Sequence, residues 1–457
     1  METQCSANQL EFQGIGQRRI VVSNDAEVNS SDAGLVLLEQ LERRHRIINR
    51  LGRCFEDGRH PAFVVHSLST LLKQRIYGIC QGYEDLNDHD LWRNDPLLST
   101  ICGNAIGVPT AGKSTLNRLE LGNQVDEQYG DRYNKIRWNE KKIEELLITV
   151  FLDHYRRSPR EIILDIDATD DPLHGQQEGR FFHGYYNEYC YLPLYVFCGQ
   201  FVLTAKLRGA DRGASHGSLE VLAGLVSKIR ARFPRVRIIV RGDSGFCRDG
   251  LMRYCESIPG LFYVFGLSKN SRLLHALGKY RQEAKRRFAA TGESQRVFAD
   301  LRYRTRNSWS ATRRVVGKAE HNVQGANPRF VVTNLPIAWW QAAALYEKLY
   351  CGRGDMENRI KEQQLYLFAD RTSTGWISSN QLRLWFSSFA YLFFVLLREG
   401  ILAETDCAKW QAHTLRLKLL KVSASVTVTV RRIRVRLPTA YPYWDLWGYA
   451  AGRFCSN

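Results

Sequence analysis

Apolar residues recur at helical spacing through the first third of the chain. Leu35, Leu38, Leu41 and Ile48 mark one face of a segment from Ala33 to Leu51, and Ser30-Ser31-Asp32 stands where a helix cap belongs. A second helix is expected from about Phe63 to Gln81. A third region, Trp138 to Tyr155, carries Ile143, Leu146, Leu147 and Phe151 on one side. Residues 1–157 therefore read as a mainly α-helical domain, a candidate for DNA binding, with a loosely ordered start over residues 1–30.

At Glu161 the period changes. Ile162, Leu164 and Ile166 alternate with Ile163, Asp165 and Asp167, which is a buried strand running into a polar loop. Apolar runs at 191–198 and 200–207 suit two antiparallel strands around Gly199. An amphipathic helix over 218–233 leads to a strand at 237–240, a short helix ending at Cys255 and a strand at 261–267. Three strands, a helix, a strand, a helix and a strand is the order of a ribonuclease H-like sheet.

The expected fold class is thus α/β: a mixed sheet of that kind flanked by helices, preceded by the helical N-terminal domain. Residues 158–270 would form the first part of this core. Residues 271–336 break the rhythm with basic alternating segments and read as a β-rich insertion. The core resumes over 337–400, where Glu357 lies at or just before a helix start, and 401–457 form a basic tail with a strand over 427–436.

Composition narrows the partners. The 457 residues are 44% hydrophobic and 11% aromatic, enough for real cores, and 64 Lys plus Arg against 47 Asp plus Glu leave a net charge of +17. That balance favours polyanions, although charge alone does not identify nucleic acid. Eleven cysteines form no C-x-x-C pair and no zinc-finger spacing, which fits a reducing cytoplasm. No export signal is expected near the start. The longest apolar run, 389–397, is too short to cross a bilayer, so no membrane partner is expected.

One motif matches a phosphate-binding loop: Gly107, Gly112, Lys113 and Ser114. Its flanks argue against a nucleotide site. No strand-like run precedes it, Pro109 removes an amide from the cradle, and the helix after it stops near Gly122.

Three acids carry the chemistry. Asp167 follows the first strand, Asp243 the fourth, and Glu357 sits on the late helix, 76 (243 minus 167) and 114 (357 minus 243) residues apart. Strand C-termini are where an α/β sheet gathers ligands. Hard divalent cations take oxygen ligands, and three shared carboxylates can hold the two ions of in-line phosphodiester chemistry.

At these residues the chain resembles the DDE transposases of bacterial insertion sequences, nearest to the thirteen-eighty insertion-sequence group. The likeness rests on Asp165-Ile-Asp-Ala-Thr-Asp-Asp-Pro-Leu-His-Gly175, Gly184-Tyr-Tyr, Arg241-Gly-Asp-Ser-Gly-Phe246 and Glu357-Asn-Arg-Ile-Lys-Glu362. It covers most of the chain from about residue 60. The resemblance implies a ribonuclease H-like core with a β insertion, and it implies catalytic, metal-binding roles for Asp167, Asp243 and Glu357 with Mg²⁺, or Mn²⁺ as a substitute.

It also implies double-stranded DNA as partner, both terminal inverted repeats and target, a homodimer or larger assembly for synapsis, and a cytoplasmic, nucleoid-associated location in a bacterium. The related pattern Tyr-x-x-Arg-x-x-x-Glu falls on Tyr350, Arg353 and Glu357. Where that pattern continues to a lysine, the chain has Gln364, leaving Lys361 as the DNA-positioning cation.

Other roles stay open at this level. Asp165 either supports Asp167 or is a buried structural acid. Tyr350 and Arg353 either contact DNA or pack together. Arg302, Arg304 and Arg306, interleaved with Tyr303 and Trp309, either track phosphates or coat a solvated sheet. His174 and His183 read as polar loop residues. The helix over 115–121, with Asn117 and Arg118 exposed, is the candidate reader of DNA ends, and a fragment ending near Arg157 should carry end recognition by itself.

Overall fold

The computed structural model describes residues 9–15, 18–24, 27–124 and 134–455. The chain divides into two compact units: residues 1–52, 59–119 and 396–457 form one, and residues 53–58 and 120–395 form the other.

The first unit is helical at its centre. The expected helix over 33–51 is two, Leu35–His45 and Ile47–Gly52, because Arg46 between them takes a left-handed φ of 53°. Asp32 caps neither helix. It is fully buried and accepts hydrogen bonds from Tyr83 Oη and Trp92 Nε1, both at 2.8 Å, while Lys421 Nζ lies 2.9 Å from its other oxygen. A buried carboxylate has to be paired in this way, so its partners come from three distant stretches of sequence.

Ser67 caps the helix Leu68–Gln81 through the Thr70 amide. The other end of that helix is closed by Arg416, which donates to the carbonyls of Ile79 and Cys80 at 3.0 and 2.8 Å.

The residues expected as a separate tail are therefore built into this unit. Their strand is a hairpin, Ala424–Val428 and Ile433–Arg436, whose first arm pairs with Asn29–Ser30. The start expected to be loose contains a hairpin, Gln9–Ile15 with Arg18–Ser23; residues 1–8, 16–17 and 25–26 lie outside the described residues.

The second unit is organised on one mixed sheet. Its strands are β1 (Glu161–Ala168), β2 (Leu194–Cys198), β3 (Phe201–Lys206), β4 (Arg237–Gly242), β5 (Leu261–Leu267), β6 (Gln295–Tyr303), β7 (Arg313–Asn322) and β8 (Arg329–Thr333). Their spatial order is β3-β2-β1-β4-β5-β8-β7-β6, with the two-residue strand Gly325–Ala326 beside β7. The first three strands pair antiparallel, and β1, β4 and β5 run parallel. Helices α1 (Ser218–Arg232) and α2 (Asp249–Ser257) make the two crossovers that parallel strands require. β2 is buried at every residue, as befits a strand covered on both faces.

The stretch expected to be a β-rich insertion opens with helices, Ser271–Ala276 and Gly278–Thr291. The longer one buries only Ala284 outright, so the apolar period that would have announced it is almost missing, while Glu283 pairs with Arg286 and Arg287 along its surface. The strands that follow extend the core sheet, since β8 pairs with β5.

One helix among the described residues, Ile377–Ile401, is long and apolar enough to cross a membrane by length and composition, but 89% of that window is buried inside the protein, as in a core helix.

Candidate active site

The register of two parallel strands assembles the site. Gly242 of β4 pairs with Ile166 of β1, so the next residue on each strand, Asp243 and Asp167, emerges at neighbouring C-terminal ends. Asp243 is held by the turn it begins, accepting the Gly245 amide at 2.8 Å. Gly266 on β5 leaves room for this turn: a Cβ there would lie 2.9 Å from the Ser244 nitrogen and 2.6 Å from the Tyr350 hydroxyl. Glu357 occupies the first turn of α3 (Gly354–Leu367), with its side chain 48% exposed.

Arg353, one turn before Glu357, draws two of these acids together. Its Nη1 donates to Asp167 Oδ2 at 2.9 Å and its Nη2 to Glu357 Oε1 at 2.8 Å. The other Asp167 oxygen accepts the Ala168 amide at 3.0 Å. Burial raises the Asp167 carboxyl, Arg353 opposes that rise, and the charges of Asp243 and Glu357 push it further up, leaving it at about 6. The three acids therefore share one electrostatic field, the donor chemistry a hard cation needs. As the side chains stand, no group of three or more His, Cys, Asp or Glu among the described residues is drawn together tightly enough to hold a metal ion.

Asp165 has a different partner. Arg241, directly across on β4, grips both its oxygens, Nε to Oδ1 at 2.5 Å and Nη2 to Oδ2 at 2.7 Å. The same guanidinium donates to the carbonyls of Leu349 and Gly352, the turn that leads into α3. Gly352 permits this approach, since a Cβ there would lie 2.7 Å from Arg241 Nη1. The pair thus fastens the two aspartate-bearing strands to the segment that delivers Glu357. An ionised carboxylate buried inside a strand needs a partner, but which one is not visible without the register.

The remaining candidates are dispersed. Tyr350 is half-buried and lines a cavity of about 470 Å³ with Asp243, Ser244, Lys269, Arg329 and Tyr346. Neither Lys269 nor Arg329 stands out by motif or spacing in the sequence. Lys361 is exposed on α3, one turn beyond Glu357. Gln364, at the position where a lysine was expected, donates to the Asp170 carbonyl and to Asp171 Oδ1, both at 3.0 Å, and so ties α3 to the loop after β1.

Arg302 lies in the same lateral row as Asp165 but five strands away, through Arg314, Thr333, Val264 and Arg241, or about 24 Å at ordinary strand spacing. Because β6 runs opposite to β1, Arg304 and Arg306 lie further toward the end of the sheet away from the acids. Trp309, expected on a phosphate-tracking face, is buried against Arg313 and Tyr303. His174 is exposed and His183 rests on Tyr186.

Lys113 of the loop motif is bound within its own unit. Its amide donates to Asp90 and its Nζ to Asn87, and the helix Pro96–Ile101 stands where a phosphate-binding loop needs a strand. Asn117 and Arg118 are exposed on the short helix Lys113–Glu120, as expected.

Two acids thus stand at the ends of adjacent parallel strands, with a third on a late helix against the same sheet. The chain matches the family described as Transposase DDE domain group 1 over residues 12–454, and it belongs to that family. No curated protein matches it.

Proposed function

We propose that this protein is an insertion-sequence transposase of the thirteen-eighty group, with a ribonuclease H-like core, that cuts DNA at its element's terminal inverted repeats and joins the freed 3′-hydroxyl ends to target DNA. The observation that carries this reading is the convergence of Asp167, Asp243 and Glu357 on one end of the sheet, where Asp167 senses the charge of both others. Bound Mg²⁺ or Mn²⁺ would activate the attacking water or hydroxyl and stabilise the leaving oxygen.

The protein's own contribution is placement. β1 and β4 fix two carboxylates by register, the Asp165–Arg241 pair sets the third, and Lys269 and Arg329 border the cavity beside Asp243 where a DNA strand can lie. Tyr350 lines the same cavity, Arg353 lies between Asp167 and Glu357, and Lys361 lies one turn beyond Glu357 on α3.

The test uses the full chain, DNA carrying the ends that flank its own coding sequence, and Mg²⁺. Nicked and joined products are expected, and Asp167→Ala, Asp243→Ala and Glu357→Ala should each abolish both, a loss of at least about a thousandfold, while end binding persists. Nicking without joining would reduce the protein to a nuclease. Cleavage that survives any of the three substitutions would remove that acid from the site.

A further inference from the structure

The acid site already holds a cation of its own. Arg353 forks between Asp167 and Glu357 with contacts of 2.9 and 2.8 Å, and with the Ala168 amide on the remaining oxygen both oxygens of Asp167 are taken. A divalent ion bridging these carboxylates would compete with Arg353 for them, since the guanidinium already lies on one oxygen of each.

The surroundings suit a side chain that changes partners. Arg353 ends a short 3₁₀ turn, Cys351–Arg353, wedged between the π-helical turn Leu345–Tyr350 and α3, and such irregular helical junctions recur at functional sites. Its second carboxylate, Glu357, is half exposed, so the fork is open to solvent on that side.

We propose that Arg353 is the resident counter-cation of the acid site and that a divalent metal must displace its guanidinium before it can bind. This rests on the reading of Asp167 and Glu357 as metal-holding acids. The fork offsets part of the carboxylates' charge and draws them together without metal, and it makes metal loading a competition. Lysine cannot replace it: an ammonium keeps the charge but lacks the planar pair of donors that spans two carboxylates.

The test measures Mn²⁺ binding to the full chain without DNA, by electron paramagnetic resonance of the free ion, for the wild type, Arg353→Ala, Arg353→Lys and the double variant Arg353→Ala/Asp167→Asn. Both single variants should bind Mn²⁺ tighter by on the order of tenfold, the scale of releasing two charge-assisted hydrogen bonds at a half-open site, and the double variant should lose the gain. Equal affinity in wild type and both single variants overturns the proposal. So does a gain confined to alanine, which would mean through-space repulsion, or a gain that survives Asp167→Asn. Thermal melts check folding, and the lysine variant carries the test if the alanine one unfolds. Tightened Mn²⁺ binding in a protein that cuts no ends would sink the transposase reading and leave the displacement standing. Normal cutting with unmoved Mn²⁺ affinity would do the reverse.

Discussion

Asp165 and Asp167 stand two residues apart on one strand, and each takes an arginine, yet the two pairs are built for opposite ends. The Asp165–Arg241 side chains are 3% and 10% exposed, every contact is internal, and the guanidinium also holds two carbonyls of the turn before α3. The Asp167–Arg353 side chains are 16% and 17% exposed, and the second carboxylate in that fork is about half open. One pair is a fastening and the other a contact that can be exchanged. Burial and the number of satisfied donors decide which, because a charge with no alternative partner cannot leave.

The largest effect should separate the pairs directly. Arg241→Ala or Asp165→Ala strands a buried charge and should cost about 3–5 kcal/mol in urea unfolding, with cleavage lost although all three acids remain. Arg353→Ala should cost less, about 1–3 kcal/mol, because the Glu357 side of its fork is open to water and Asp167 can take up a proton. Equal losses would break the comparison.

Asp171 sharpens it, being a buried acid with no arginine at all. Burial lifts its carboxyl, the Gln364 hydrogen bond opposes that, and Asp370 and Asp170 add to the rise, leaving it at about 8. The folded chain keeps this proton where the unfolded chain, releasing near 4, has lost it. Its contribution to stability must therefore fall as pH rises from about 4 to about 8 and level off above. Asp171→Asn carries no proton to lose, so melts across that range should show the variant gaining on wild type by up to about 1.4 kcal/mol per pH unit. Parallel curves would show that Asp171 is ionised in the folded protein.

Gly266→Ala probes the geometry that both pairs serve. The new Cβ would press on the backbone at Asp243 and Ser244, so a loss of about 1–3 kcal/mol is expected, with cleavage falling more than end binding. The smallest effect belongs to the far edge of the sheet. Removing Arg302, Arg304 and Arg306 together should weaken specific and random duplexes alike and flatten the salt dependence by about 0.9 for each phosphate that is no longer neutralised. An unchanged slope would make that edge a solvated face.

Local pattern made the core legible. The alternation at Glu161–Ala168, the apolar runs on either side of Gly199 and the strand at Leu261–Leu267 are each announced by their own residues, and the acids fall at strand ends that period and turn signals locate. What escaped depends on distant partners. Arg241 meets Asp165 only through strand register, and Arg353, left open between DNA contact and packing with Tyr350, pairs with Asp167 and Glu357. The helix Gly278–Thr291 was hidden by its charges, and Asp32, which looked like a cap, is buried by Tyr83, Trp92 and Lys421.

The interleaving of the first unit sets an order of events during synthesis. Asn29–Ser30 finds its strand partner only when residues 424–425 exist, and the carbonyls ending the helix Leu68–Gln81 wait for Arg416. The large sheet, complete by residue 395, can close on the ribosome while the helices made first are still unfinished. A fragment stopping at Arg157 would therefore lack its own closing pieces, and its folding has to be checked before end recognition by it is assayed. A nascent chain cut short near residue 400 would hold a finished sheet beside an unassembled first unit, and a frameshift late in the gene would damage the beginning of the protein rather than its middle.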